Sequence, residues 1–490
     1  MRILYIDIDS CRPDHLGCYG YHRNTSPHID ALARESVRFT NYYCSDAPCL
    51  PSRTALYTGM HGIHSGVVGH GGTAADLFVE GRSRAFRDRI ELQSLPSSLQ
   101  SVGFHTAQIS PFGQRHAARQ FYAGFNEIHN TGKGGMESAE EVTPVVMKWL
   151  EDHAAADRWF LHLNYWDPHT PYRVPEAYGE PFAEDPLPAW LTEEVWRSHL
   201  NMVGPHKAQE ISMYDDLPPA WFGPAPRQPG ALRTQADLRR MIDGYDTGIR
   251  YVDDQVGRIV AALKKAGVYE ETAIIISADH GENQGELGIY GEHGTADQIT
   301  CRVPLIVKWP GCKAGHADGG MNYNLDLAPT LAELLGCKAQ PCWDGRSFAP
   351  ALMQGVDAGR DQLVVSQCAH VCQRSVRFGD FIYLRTYHDG YHLFPKEMLF
   401  NVQDDPHEQH DLAPSRPDLC QEGAARLLAW HDEMMATSVS NVDPMWTVMR
   451  EGGPFHARGR LKEYCNYLEK TGRSWAIPEL KRRHPGEFAD

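Results

Sequence analysis

Asp46-Ala-Pro-Cys49-Leu-Pro-Ser-Arg53-Thr-Ala-Leu-Tyr-Thr58-Gly59 carries the strongest signal in the chain. Cys49 is followed two residues later by Pro51, four later by Arg53, and then by a short apolar run that suits a helix. Proline is tolerated in the first helical turn, where its missing N–H costs nothing. Cys49 is therefore expected at a helix N-terminus, beside free backbone N–H groups and the positive end of the dipole. Such a position attracts anions and lowers a thiol pKa. Arg53, one turn on, adds a fixed positive charge. A lone cysteine ahead of a helix is more often a plain buried thiol, so the rest of the chain must supply the chemistry.

Three other stretches supply it. Arg2-Ile-Leu-Tyr-Ile-Asp-Ile-Asp9 is a short apolar run closing on acid, with Asp7 and Asp9 on one face of a strand. Thr272-Ala-Ile-Ile-Ile-Ser-Ala278 is a second buried strand, closing on Asp279-His-Gly-Glu282. Trp159–Tyr165 is a third, running into Trp166-Asp-Pro-His-Thr-Pro-Tyr172, where His169 lies between two prolines. Strands that end in acid or histidine suit the carboxyl edge of a parallel sheet, where open α/β folds bind ligands. Carboxylates gathered there bind a hard divalent cation, and a rigidly held histidine can protonate a leaving alcohol. Asp7 has an alternative, a bond to nearby backbone.

Composition bounds the rest. The chain has 490 residues, enough for one large domain and a smaller one. Lys and Arg number 47 against 63 Asp and Glu, a net charge of −16, which disfavours nucleic acid as a partner. No apolar run is long enough to cross a membrane. The 12 cysteines are scattered without metal-ligand pairing. With a strand starting almost at Met1 and no leader pattern before it, the expectation is a cytoplasmic protein. Gln235–Ala266 reads as a long amphipathic helix ended by Gly267. Residues 175–232 read as an irregular excursion whose Trp190, Trp196 and Trp221 either stack on a sugar or pack in the core. Past residue 360 short strands precede a helix over 417–437, an α+β pattern. The division expected is 1–360 and 361–490.

Cys49-Leu-Pro-Ser-Arg53 with Thr58-Gly59 resembles the signature of the type I sulfatases. Asp9 with Arg12-Pro13 and Leu16–Gly20, the Asp279-His280 pair, and Gly291-Glu-His-Gly294 are similar to other segments of that family. The resemblance implies an alkaline phosphatase-like α/β fold: a large, mostly parallel sheet between helices, with a small C-terminal α+β domain. It implies that Cys49 is converted to formylglycine by a maturation enzyme, and that the hydrated aldehyde is the nucleophile. It places one divalent metal on Asp9, Cys49, Asp279 and His280. Calcium is usual in the family, and the imidazole ligand leaves manganese or magnesium open. Arg53 would clamp charge and His169 would protonate the leaving alcohol.

The chain departs from the family pattern at three points. A second acid is expected where Ser10 stands. The family's Gly-Lys-Trp-His is replaced by Ser110-Pro-Phe-Gly-Gln-Arg-His116, so Arg115 and His116 become candidates for the missing charge. A Lys expected within Thr295–Ile299 is absent. His64 and His70, in the Gly/His-rich loop after Cys49, are candidate substrate contacts. The implied activity is hydrolysis of a sulfate monoester on a sulfated carbohydrate such as a glycosaminoglycan fragment. The alternatives are a phosphonate monoester or phosphodiester hydrolase and a catalytically silent, carbohydrate-binding member.

Overall fold

The computed structural model describes residues 1–78, 93–211, 224–357 and 359–488. Its strands, in chain order, are β1 (Arg2–Ile8), β2 (Val37–Tyr43), β3 (Asp46–Ala47), β4 (His105–Ile109), β5 (Glu127–His129), β6 (Trp159–Tyr165), β7 (Thr272–Ser277), β8 (Asn283–Gln284), β9 (Tyr290–Glu292), β10 (Leu305–Lys308), β11 (Ala317–Tyr323), β12 (Gln362–Gln367), β13 (Cys372–Phe378), β14 (Phe381–His388) and β15 (Glu397–Asn401).

Eight of them form one sheet in the order β11-β2-β10-β7-β1-β6-β4-β5. Only β10 runs antiparallel to its neighbours, β7 and β2; every other pairing is parallel. All residues of β1, β6 and β7 are buried, as a sheet covered on both faces requires. The cover includes the Gln235–Lys265 helix, whose start is fixed by a capping box between Thr234 and Asp237. That helix also reaches the sheet edge. Its Tyr245 hydroxyl donates to the Ser10 carbonyl at 2.7 Å and accepts the Arg12 N–H at 3.0 Å, holding the turn after β1. This is the α/β fold class anticipated.

The central neighbours β7, β1 and β6 are parallel, and Asp7 pairs in register with Ser277 on one side and Asn164 on the other. Their carboxyl ends therefore lie side by side. Asp9, Asp279 and His169 follow those ends and arrive at one edge.

A second sheet has the order β15-β14-β13-β12-β3. Its edge strand β3 comes from the segment just before Cys49, with Asp46 and Ala47 paired to Ser366 and Gln367. The C-terminal sheet thus grips the chain three residues ahead of the nucleophile candidate. The tail after residue 440, patternless in sequence, forms helices Pro444–Arg450, Leu461–Lys470 and Ile477–Arg483. Between the first two, the His456 N–H donates to the Ala369 carbonyl at 3.0 Å, so the tail too is tied to the region after β12. Of the three tryptophans in the excursion, Trp196 is buried, Trp190 stacks on His407 with ring centres 4.3 Å apart, and Trp221 lies outside the described residues. Among the described residues no helix is long and apolar enough to cross a membrane.

Candidate active site

Cys49 opens the Cys49–Thr58 helix, every residue of which is buried. Its Sγ lies 3.0 Å from His280 Nε2. Asp9, Cys49, Asp279 and His280 each offer one ligand atom, and these atoms all lie within 4.8 Å of one another. His280 Nδ1–H donates to the Gly281 carbonyl at 2.8 Å, which leaves the Nε2 lone pair facing Cys49 and, at 3.2 Å, Asp279 Oδ2. A backbone bond at the far nitrogen is the usual way a ligating imidazole is oriented. Gly281 has no substitute here: a Cβ on it would sit 2.0 Å from the Ile299 carbonyl oxygen.

Arg53 is the hub. Its Nε donates to Asp7 at 2.7 Å, Nη1 to Asp279 at 2.6 Å and Nη2 to Asp9 at 3.0 Å. Asp7 therefore positions Arg53, rather than bonding to nearby backbone. Ser10, in the place of the family's second acid, donates its hydroxyl to Asp9 at 3.0 Å and its N–H to Asp279 at 3.1 Å. It orients the two carboxylates.

Charge decides what else the cluster needs. Asp7, Asp9 and Asp279 are buried beside a single guanidinium, and burying unpaired charge is expensive. Burial raises the Asp9 carboxyl, but Arg53, His169 and His280 outweigh it and hold the group below the ordinary range. Asp279 goes the other way, pushed up first by burial and then by Asp9, against the pull of Arg53. A divalent cation on Asp9, Asp279, His280 and residue 49 would balance the excess, so the donor set fits one.

The thiol departs from expectation. Burial, followed by Asp9 and Asp279, pushes the Cys49 pKa well above its usual value despite Arg53 and Arg115. The helix N-terminus does not make this a reactive thiolate, because two carboxylates face it.

His169 arrives at the same edge, with its ring centre 6.4 Å from that of His280. Its Nδ1 is hydrogen-bonded to the Thr170 carbonyl, which frees Nε2. The Thr170 N–H is held by Glu282 at 3.1 Å, giving the last residue of Asp279-His-Gly-Glu282 its role. Burial pushes the His169 pKa down to about 4; Arg115 adds to the fall and Asp9 opposes it.

The remaining candidates divide. His70 caps the nucleophile helix, accepting the Leu50 N–H at 3.5 Å, and its Nδ1 lies 3.0 Å from His456 Nε2. His116 packs against His70 with ring centres 5.0 Å apart. Burial and then Arg115 hold it near a pKa of about 3, so it supplies no charge, contrary to expectation. Arg115 does. It donates to the Gly134 carbonyl at 3.1 Å and lies over Trp166 at 4.8 Å. His64 is not brought to the site. It bonds Asp344 at 2.8 Å and Nε2 contacts the Met434 carbonyl at 2.8 Å, tying the Gly/His loop to the C-terminal helix.

Sequence reasoning missed Arg173, whose guanidinium donates to the Gly135 carbonyl at 2.9 Å, one residue along from the Arg115 contact. It also missed a group of imidazoles adjoining His280: His293, His206, His370 and His456, with Glu292 among them. Gly291-Glu-His-Gly294 was visible as a motif, but nothing in sequence joins it to residues 206, 370 and 456.

A buried carboxylate–imidazole cluster around a helix-borne Cys49, at the carboxyl edge of a mostly parallel sheet, defines a hydrolase centre of the alkaline phosphatase-like fold. The family comparison matches Sulfatase over residues 2–337, and the chain belongs to that family, whose members hydrolyse sulfate esters. The choline-sulfatase of Rhizobium meliloti is 25% identical over 439 residues, covering 79% of this chain and 77% of its own. The phosphonate monoester hydrolase of Agrobacterium radiobacter superposes with a TM-score of 0.69 at 21% identity, covering 88% of this chain and 96% of its own. A protein in complex with its substrate D-glucosamine-2-N,6-O-disulfate superposes with a TM-score of 0.71 at 18% identity, covering 91% and 99%.

Proposed function

We propose that this sulfatase-family chain hydrolyses a sulfate monoester on a sulfated carbohydrate, using formylglycine made from Cys49 by a maturation enzyme. The observation that carries the reading is the pairing of a masked Cys49 thiol with three buried carboxylates and one arginine. An unmodified thiol held protonated is a poor nucleophile, whereas an aldehyde hydrate needs no thiolate.

Residue 49, as the hydrate, forms a bond to sulfur through one hydroxyl, whose proton passes to solvent, as the bond between sulfur and the sugar oxygen breaks. His169 Nε2 gives the departing oxygen its proton. His169 Nε2, now unprotonated, takes the proton of the second hydroxyl as the carbon–oxygen bond to sulfate breaks; the aldehyde returns, and water adds to it to restore the hydrate. A divalent cation on Asp9, Asp279, His280 and residue 49 supplies Lewis-acid charge neutralisation when bound. Calcium is the family's usual ion, and the imidazole ligand leaves manganese or magnesium open. Arg53 fixes the carboxylates around residue 49, and Arg115 and Arg173 line the approach with positive charge against a net negative chain. The carbohydrate preference draws on the disulfated glucosamine bound by the structural neighbour.

The test is a panel of aryl sulfate, aryl phosphonate and phosphodiester, run on protein whose Phe39–Arg53 tryptic peptide shows aldehyde at position 49 by fragmentation. Sulfate esters are expected to lead in kcat/KM. If they trail the phosphorus esters by orders of magnitude, the chain is a phosphonate or phosphodiester hydrolase instead. Binding of a sulfated sugar with no turnover by fully matured protein identifies a silent member.

A further inference from the structure

Next to His280 lies a second set of carboxylate and imidazole side chains that the reaction above does not use. Glu292 ends β9, and among the described residues each of its ion-pair partners is a histidine. Its carboxylate oxygens lie 3.3 Å from His206 Nε2, 3.3 Å from His293 Nε2 and 3.6 Å from His370 Nε2. These are longer than ordinary N–H···O bonds, which cluster near about 2.9–3.0 Å. They match another length: ligand atoms about 2.0–2.1 Å from a tetrahedral zinc stand roughly 3.3 Å from one another.

We propose that His206, Glu292 and His370 form a second metal site that takes one zinc-class divalent ion beside the Asp9–Asp279–His280 centre. The three ligand atoms lie within 4.8 Å of one another. His206 Nδ1 faces the Ile211 carbonyl at 3.4 Å, which turns the Nε2 lone pair toward Glu292. His370 is held in orientation by stacking on His456, with ring centres 4.3 Å apart at 18°, and its backbone N–H donates to Gln367 at 3.0 Å. The three ligands line one small cavity together with His392 and His456. His392 Nδ1 in its wall, and the Nδ1 of His293 next to Glu292, are buried with no hydrogen-bond partner, and buried polar atoms ordinarily have one.

Two imidazoles and one carboxylate form a donor set for zinc rather than calcium. Three protein ligands leave a fourth position for water or an anionic oxygen. His293 joins the two sites: it offers a ligand atom within 4.8 Å of those of Cys49 and His280, and its ring centre is 4.2 Å from that of His280. A cation here stands in for the Lys absent from Thr295–Ile299. Only that last role rests on the sulfatase reading; the ion itself does not.

The test uses the full chain, stripped with chelator and titrated with zinc alone against a chromogenic competitor. It is paired with anomalous diffraction at the zinc edge from zinc-soaked crystals. Two ions per chain are expected for the native protein. Glu292→Gln and His370→Gln should each bind one ion, retained at the Asp9–Asp279–His280 centre. Asp279→Asn should instead keep the anomalous peak between His206, Glu292 and His370. A native protein with no ion between His206, Glu292 and His370, or an ion still there in both Glu292→Gln and His370→Gln, overturns the proposal. If a variant fails to fold by thermal melting, the native anomalous map decides alone: a peak among the three ligands supports the site, and no peak there refutes it. A chain with no sulfatase activity but two bound zinc ions would refute the proposed reaction and leave this site standing.

Discussion

The two adjoining carboxylate–imidazole clusters, which meet at His293 and His280, are built in opposite ways. The first takes Asp9, Asp279 and His169 from segments that follow three adjacent parallel strands, and organises its carboxylates around Arg53. The second takes Glu292, His206, His370 and His456 from four separated segments, and its one carboxylate is paired with imidazoles instead of a guanidinium. A sheet edge brings the first together as a consequence of folding β1, β6 and β7 in register. The second exists only when the excursion, the β8–β9 hairpin, the C-terminal sheet and the tail have all docked.

Replacing Cys49 is the severest way to break the comparison. Cys49→Ala should lower turnover by about 10⁴-fold or more, as removal of a nucleophile does, while leaving Asp9, Asp279 and His280 and the whole second set of metal ligands in place. Metal stoichiometry and steady-state hydrolysis on the same preparation check it. Substantial residual turnover would move the nucleophile away from position 49 and detach the chemistry from the first cluster.

His169→Gln comes next, with an expected loss of about 10²–10³-fold in kcat for esters with poor leaving groups. Activated aryl esters, whose departing oxygen needs no proton, should lose far less. The pH profile gives the sign. His169 in the free protein sits at about 4, held down by burial and Arg115, and its proton is lost as pH rises through that value. A bound anionic ester adds negative charge opposite Nε2 and raises the pKa. The alkaline fall in kcat, which reports the complex, should therefore lie at higher pH than the fall in kcat/KM, which reports the free enzyme. Coincident falls in the two profiles would remove His169 from the proton path.

Much of the first cluster was legible because its residues sit in local motifs whose neighbours explain them. β1, β6 and β7 each read as an apolar run closing on chemistry, and the Cys49 helix carried its own start signal in Pro51. Orientation was not legible. Asp7 turned out to hold Arg53, and the Ser10 N–H to hold Asp279, through bonds between segments far apart in the chain. The thiol pKa was misjudged for the same reason: the helix end is local, whereas the two carboxylates that overrule it come from other strands. His64 illustrates the reverse error. A histidine in a Gly-rich loop after the nucleophile looks like a substrate contact, but Asp344, from a distant segment, claims it. His456 had no signal at all, since its segment acquires meaning only by docking against Ala369.

The smallest effect on turnover is expected at the strut joining the two clusters. Arg12, from the turn after Asp9, bonds Glu286 at 2.7 Å, and Glu286 lies in the β8–β9 connection that leads to Glu292. Both side chains are fully buried, and His407 contacts the same carboxylate at 2.9 Å. Burial raises the Glu286 pKa, but Arg12 and His407 outweigh it and hold the group at about 2, below the ordinary 4.5. A depressed carboxylate contributes stability that is fully present above its unfolded pKa and fades as pH falls through the folded one. The native chain should therefore lose urea resistance steadily between the ordinary glutamate value and about 2. Glu286→Gln should flatten that slope. At neutral pH the substitution removes the charge opposite a buried Arg12 and puts an amide NH2 where Arg12 or the Gln284 N–H finds an oxygen, costing about 1–3 kcal/mol, with Asp14 still bonded to Arg12 at 2.6 Å. Because the strut touches neither Cys49 nor His169, kcat should change by less than the stability does. A zinc count that falls in Glu286→Gln while turnover holds would show that the second cluster depends on this docking and the first does not.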